Sequence, residues 1–150
     1  MPRPLCRWGI LGTARIARKN WKAIRNAGNS ALVAVASRDP ERARQFIEEC
    51  QADVPLTPRP AACGSYQELL DRDNVDAVYL PLPTGIRKEW VLHAARAGKH
   101  VLCEKPCAVS SADLGEPVTC FWSLAPVYSW CANWLICEAQ ALLTQWRIVP

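Results

Sequence analysis

Three short stretches hold residue types whose spacing could do chemistry. The first is Gly9-Ile10-Leu11-Gly12-Thr13-Ala14-Arg15-Ile16-Ala17, where an apolar run gives way to a helical pattern. Small residues at 12, 14 and 17 permit a tight turn, a close backbone approach to a pyrophosphate, and close packing of helix on strand. Amides at such a helix start face phosphate oxygens, so Gly9, Gly12, Thr13, Ala14, Arg15 and Ile16 are the candidate contacts. Two of the three usual glycines are alanines here, which leaves open a small-residue turn without ligand. The second stretch is Ala36-Ser37-Arg38, at the end of another apolar run. An acidic residue there would hold ribose hydroxyls. A hydroxyl followed by a guanidinium suits a 2′-phosphate instead. NADP(H) is therefore expected over NAD(H). NAD stays possible, since Asp39 stands one place later and could serve a ribose, and Arg38 could be a solvated loop residue. The third stretch is Cys103-Glu104-Lys105-Pro106, a carboxylate and an ammonium just past a short apolar run that proline stops. Ligands sit at the carboxyl ends of parallel strands. The residues alone leave Lys105 open between a proton-transfer group and an ordinary exposed lysine.

The elements that must position these residues alternate in period. "LCRWGIL" reads as a short strand ending in glycine. "ARIARKNWKAIRNAG" reads as a helix with Ile16, Trp21 and Ile24 on a stripe and Gly28 as its stop. "ALVAVAS" is a continuous apolar, β-branched run, as expected for a strand covered on both faces. "DPERARQFIEEC" reads as a helix with Asp39 as N-cap, Pro40 in the first turn and Glu41 complementing the dipole. The proline-rich loop after it predicts at most a short strand near Ala61–Cys63. Ser65-x-x-Glu68 is a capping pattern that opens a short helix. "VDAVYLPLP" is a strand stopped by Pro81 and Pro83. "GIRKEWVLHAARAG" is a helix with Ile86, Trp90 and Ala94 on one side, and "HVLC" is the next strand. Strand–helix alternation with short loops predicts an α/β fold, a Rossmann-type doubly wound parallel sheet with right-handed crossovers, incomplete at its C-terminal end.

Bulk composition narrows the function classes. At 150 residues with 50% hydrophobic and 21% charged side chains, the chain has the size and balance of a single globular domain. A net charge of +4, without a Lys/Arg run interleaved with aromatics, argues against a nucleic-acid partner. The apolar run begins within a few residues of Met1, so no leader is expected. The eight cysteines are then expected to be reduced thiols in a cytoplasmic protein, mostly small buried or half-buried side chains. Cys103 and Cys107 have no second Cys/His pair at zinc-site spacing, so no metal is expected.

Four quoted stretches together resemble one family. "WGILGTARIARK", "VAVASRDPERARQF", "GSYQELLDRDNVDAVYLPLPT" and "EWVLHAARAGKHVLCEKP" look like the N-terminal half of the Gfo/Idh/MocA oxidoreductases, of the plant and algal type. The resemblance spans residues 6–114. Its most specific piece runs from Gly98-Lys99-His100 to Glu104-Lys105-Pro106, at a fixed distance after the Pro83-Thr84 loop. It implies a two-domain enzyme in which a Rossmann unit binds NAD(P) and a second domain contacts a sugar, polyol or diol, with a homo-oligomer possible in full-length relatives. It also implies that Lys105 gives or takes the proton of the substrate oxygen, and that Glu104 orients the lysine or contacts the ribose. Leu82, Pro83 and Thr84 would lie beside the nicotinamide ribose, with Thr84 where many members have Asn. Arg87, among the same contacts, stands where the family usually has His. The resemblance further implies that Pro106 often follows a cis peptide. A partly desolvated lysine beside a cationic ring has its pKa pushed toward the useful range.

Composition changes at Gly115. The chain has 18 basic and 14 acidic side chains, and only Glu116, Glu138 and Arg147 lie beyond residue 114. Residues 1–114 are accordingly read as the NAD(P)-binding domain, and 115–150 as an unrelated apolar tail with no substrate domain. The stretch between Glu116 and Glu138 is uncharged, but Pro117, Ser123, Pro126, Ser129 and Asn133 make it a poor membrane span. Gly115-Glu116 is encodable as GGT-GAG, which contains the usual start of an intron. A retained intron or a gene-model error is therefore the expected origin of the tail. On this reading the chain binds NADP weakly and lacks turnover by itself. A non-catalytic dinucleotide-binding module or an inactive truncated product remains the alternative.

Overall fold

The computed structural model describes residues 5–106. The apolar tail, and the cysteines from Cys107 onward, lie outside the described residues. Within them the chain alternates strictly: β1 (Cys6–Leu11), α1 (Ala17–Asn26), β2 (Ser30–Ala36), α2 (Pro40–Asp53), β3 (Ala61–Cys63), α3 (Tyr66–Leu70), β4 (Ala77–Leu80), α4 (Thr84–Arg96) and β5 (His100–Cys103). The five strands form one parallel sheet in the order β3-β2-β1-β4-β5. The chain therefore winds outward from β1 in one direction, returns, and winds outward in the other.

Successive strand residues face opposite sides, and both sides are covered. Ile10, Val35 and Tyr79 pack under α1 and α2, against Trp21, Ile24, Phe46 and Ile47. Leu11, Ala34, Ala36, Val78 and Leu80 pack under α3 and α4, against Tyr66, Leu69, Val91 and Ala94. The β1–β2 register shifts between Trp8 and Gly9, so that Trp8 pairs with Leu32 and Gly9 with Ala34. The extra residue, Val33, explains why two consecutive β2 side chains lie on the α3/α4 side.

Local signals account for most boundaries. The Asp39 carboxylate accepts from the Glu41 amide at 2.9 Å and caps α2, with Pro40 in the first turn. The Ser65 hydroxyl accepts from the Glu68 amide at 3.1 Å, but Glu68 Oε2 reaches one residue further back, to the Gly64 amide at 2.7 Å. Ile16 departs from its expected stripe. The buried face of α1 is Ala17, Asn20, Trp21 and Ile24, and Ile16 is 44% exposed. Five residues separate Ile16 from Trp21, about 140° around a helix, so the two do not share a face. Cys6 is half-buried, and Cys50, Cys63 and Cys103 are buried. Burial pushes Cys6 and Cys50 up to about 11, too high for a thiolate at neutral pH. Among the described residues, no helix is long and apolar enough to cross a membrane.

Candidate functional site

The carboxyl ends of β1 and β4 open a crevice where the strand order reverses, the place where open α/β sheets take ligands. A cleft of about 440 Å³ lies there. Gly12, Thr13 and Ala14 line it from the β1–α1 turn. Ser37, Arg38, Asp39 and Arg42 line it from the β2 end, and Tyr66, Pro81, Leu82 and Pro83 from the far wall.

Helix starts separate into two kinds. α2 and α3 are capped by Asp39 and Ser65, whereas α1 and α4 begin at Ile16 and Pro83 with no side-chain cap and no acidic residue in the first turn. The uncapped pair are the helices that follow β1 and β4. The Ala17, Arg18 and Lys19 amides close on the carbonyls of Ala14, Arg15 and Ile16. The Thr13, Ala14, Arg15 and Ile16 amides have no acceptor among the described residues. Orphan amides at a helix start are a ready anion site. Gly12 shapes the approach. Its φ is +113°, and a Cβ there would sit 3.0 Å from Leu82 Cδ2, across the cleft wall. These open amides, the Gly12 cradle and two guanidiniums fit a phosphorylated dinucleotide.

Of the residues read from sequence, Gly12, Thr13, Ala14, Ser37, Arg38, Leu82 and Pro83 come together on the cleft. Arg15 and Ile16 are exposed at the same helix start, and Thr84 opens α4. Gly9 stands apart inside β1. A Cβ there would come within 2.6 Å of Leu69 Cδ2, so its place in the fold is a close approach of α3 to the sheet. Ser37 is buried, and its hydroxyl accepts from the Asp39 amide at 3.4 Å. Arg42 was not anticipated. It lies in the first turn of α2, on the side of the Asp39 cap that meets the cleft. The available signal was its spacing of four residues from Arg38.

Glu104, Lys105 and Pro106 follow β5, and the Lys105–Pro106 bond is cis. Lys105 is exposed, and its ammonium has no hydrogen-bond or ion-pair partner among the described residues. Glu104 is held on three sides. Its amide donates to the Leu80 carbonyl at 3.4 Å, its carboxylate accepts from the Tyr79 hydroxyl at 2.5 Å, and its carbonyl accepts from Arg87 at 2.8 Å. Burial pushes the Tyr79 hydroxyl above its usual range, and the Glu104 carboxylate pushes it further. Tyr79 therefore stays a donor. Asn20, on α1, has a buried Nδ2 with no hydrogen-bond partner among the described residues. Arg87 is buried and turned inward onto main-chain carbonyls. Tyr79 was read only as a strand residue, because nothing in an apolar strand signals that its hydroxyl meets a carboxylate 25 residues later.

The strand order, the crevice at its reversal and the glycine turn define a dinucleotide-binding domain. The description "Oxidoreductase family, NAD-binding Rossmann fold" matches residues 6–126, past the composition change at Gly115. The chain belongs to this Gfo/Idh/MocA family and carries its NAD(P)-binding domain. It is 44% identical over 104 residues to D-xylose 1-dehydrogenase (NADP(+)) 2 of Haloferax volcanii, covering 69% of this chain and 30% of the relative. It is 40% identical over 119 residues to dTDP-3,4-didehydro-2,6-dideoxy-alpha-D-glucose 3-reductase of Saccharopolyspora spinosa, covering 79% and 33%. A solved 3-ketoreductase from Actinomadura kijaniata, in complex with TDP-benzene and NADP, superposes with a TM-score of 0.74 at 32% identity, over 83% of this chain and 38% of that one. The chain thus spans about a third of the length of these relatives.

Proposed function

We propose that the chain is the cofactor-binding part of an NADP-dependent oxidoreductase that moves hydride between the nicotinamide and a CH–OH carbon of a sugar, polyol or diol. The observation that carries the cofactor preference is that Ser37, Arg38 and Arg42 line the same cleft as the open amides of the glycine turn. The amides of Thr13 to Ile16 would hold the pyrophosphate, and the two guanidiniums the 2′-phosphate. The Asp39 carboxylate is engaged in capping α2. That engagement favours NADP over NAD. Two of the relatives above, the xylose dehydrogenase and the dTDP-sugar reductase, act on sugars, and the xylose dehydrogenase and the solved 3-ketoreductase pair with NADP.

Lys105 stands past the carboxyl end of β5, beside the β4 loop. In this reading it holds the proton exchanged with the substrate oxygen, while Glu104, fixed by Tyr79, orients the segment. When bound, the nicotinamide supplies the hydride chemistry. Thr84, at the start of α4, would contact its ribose.

Fluorescence titration of the purified chain tests the preference directly. NADPH is expected to bind at least tenfold tighter than NADH. Equal affinities, or tighter NADH, would overturn it. Turnover is proposed for the protein in which this domain meets a substrate domain. A panel of aldoses and diols with NADP distinguishes that activity from a binding module.

A further inference from the structure

Arg87 is 5% exposed, in the first turn of α4. Its guanidinium bonds carbonyl oxygens from two different loops. Nε donates to the Leu82 carbonyl at 2.9 Å, and Nη2 donates to the same oxygen. Nη1 donates to the Glu104 carbonyl at 2.8 Å and also to the Pro106 carbonyl. Leu82 lies in the loop after β4, on the wall of the cleft, and Glu104 and Pro106 flank Lys105 after β5. The β4–β5 pairing ends at Leu80 and Cys103, and the Glu104 amide makes one last long bond to Leu80. Beyond that point, the Arg87 side chain bonds both loops.

The residue type suits the task. A buried cation is costly unless its donors are met. A planar fork of five donors can serve three carbonyls on two loops, whereas three donors on a single ammonium nitrogen cannot span them. We infer that Arg87 is a positioning residue. It fixes the main chain of Glu104–Pro106 against the Leu82 loop and so sets where Lys105 stands relative to the cleft. Only the catalytic consequence rests on the function proposed above; the link between the loops is independent of it.

Hydrogen exchange by mass spectrometry on the 150-residue chain tests this with Arg87→Met, Arg87→Lys and Arg87→Ala. In Arg87→Met, the Glu104 amide, which bonds the Leu80 carbonyl, is expected to exchange at least tenfold faster, with β1 and β2 unchanged. Arg87→Lys keeps charge and stem, so it stays folded if Arg87→Met does not. It is expected to show the same local loss, and millimolar methylguanidinium is expected to restore protection in Arg87→Ala. Unchanged exchange at Glu104, or full protection by lysine, would overturn the inference. So would a hundredfold loss of NADPH affinity with the loops still protected, which would make Arg87 a cofactor contact. Failure of the unaltered chain to bind NADPH would instead sink the proposed function alone.

Discussion

Arg38 and Arg42 are exposed side chains of the same charge on one cleft, flanking the Asp39 cap. Two guanidiniums on one side of a cleft, neither with a partner among the described residues, repel, and an anion between them removes the repulsion. Each charge-assisted bond to a phosphate is worth about 1.5–3 kcal/mol, so Arg38→Ala and Arg42→Ala are each expected to weaken NADPH binding roughly tenfold or more. NADH binding should change less than threefold in both. A parallel loss for the two nucleotides would place the arginines on a shared part of the cofactor. Lys105 is open to a similar separation. In the protein with turnover, Lys105→Met should lower kcat on the order of a hundredfold, the scale of general acid–base catalysis. The NADPH affinity of the same variant should stay within threefold.

Among the elements, the helix caps are the part of the site that composition hides. Asp39 and Ser65 announce their helices, and both appear where expected. The functional helices are recognisable by what they lack, since no Ser, Thr, Asp or Asn stands at Ile16 or Pro83. The strands and the glycine turn were legible because period, length and small residues are local signals. Tyr79 bonding Glu104, Arg87 joining two loops and Arg42 entering the cleft were not, because each depends on residues brought together by the sheet. Gly9 shows the limit from the other side. It belongs to the expected glycine motif, yet the space beside it is filled by Leu69, which is fully buried. Gly9→Val is therefore expected to cost about 1–3 kcal/mol of stability through overpacking, measured by denaturant unfolding. An unchanged midpoint would show that α3 shifts to accept it.

Strand β1 is also tied to β4 by a polar fork. Arg7 Nε and Nη2 donate to Asp76 Oδ2 and Oδ1 at 2.9 and 2.5 Å, and the Arg7 amide adds a bond of 2.8 Å. These bonds hold the Asp76 carboxyl below its usual range. A depressed folded-state pKa gives stability that is full at neutral pH and is lost as pH falls through the carboxylate range. The Tm difference between the unaltered chain and Asp76→Asn should thus be constant near neutrality and shrink below about pH 4, the ordinary aspartate range. A difference that persists undiminished at lower pH would assign it to shape, not charge.

At the scale of the molecule, the boundary at residue 114 and the family match to residue 126 make different demands. Chains ending at 114 and at 126 are both expected to bind NADPH within threefold of the 150-residue protein, because the cleft lining among the described residues ends at Pro83. Loss on ending at 114, with recovery at 126, would place residues 115–126 in the domain.

The central position of β1 has a consequence in time. Its first neighbour, β2, follows within a few dozen residues, but its second partner is β4, and the Arg7–Asp76 fork spans 69 positions. A ribosome adds about 5–20 residues per second, so the β4-facing edge of the nascent strand waits roughly 3–14 s for its partner to be made. For that interval an apolar edge with unpaired amides is available to other chains. The charge of Arg7, beside that edge, is what the nascent chain has there to discourage a wrong partner until Asp76 arrives.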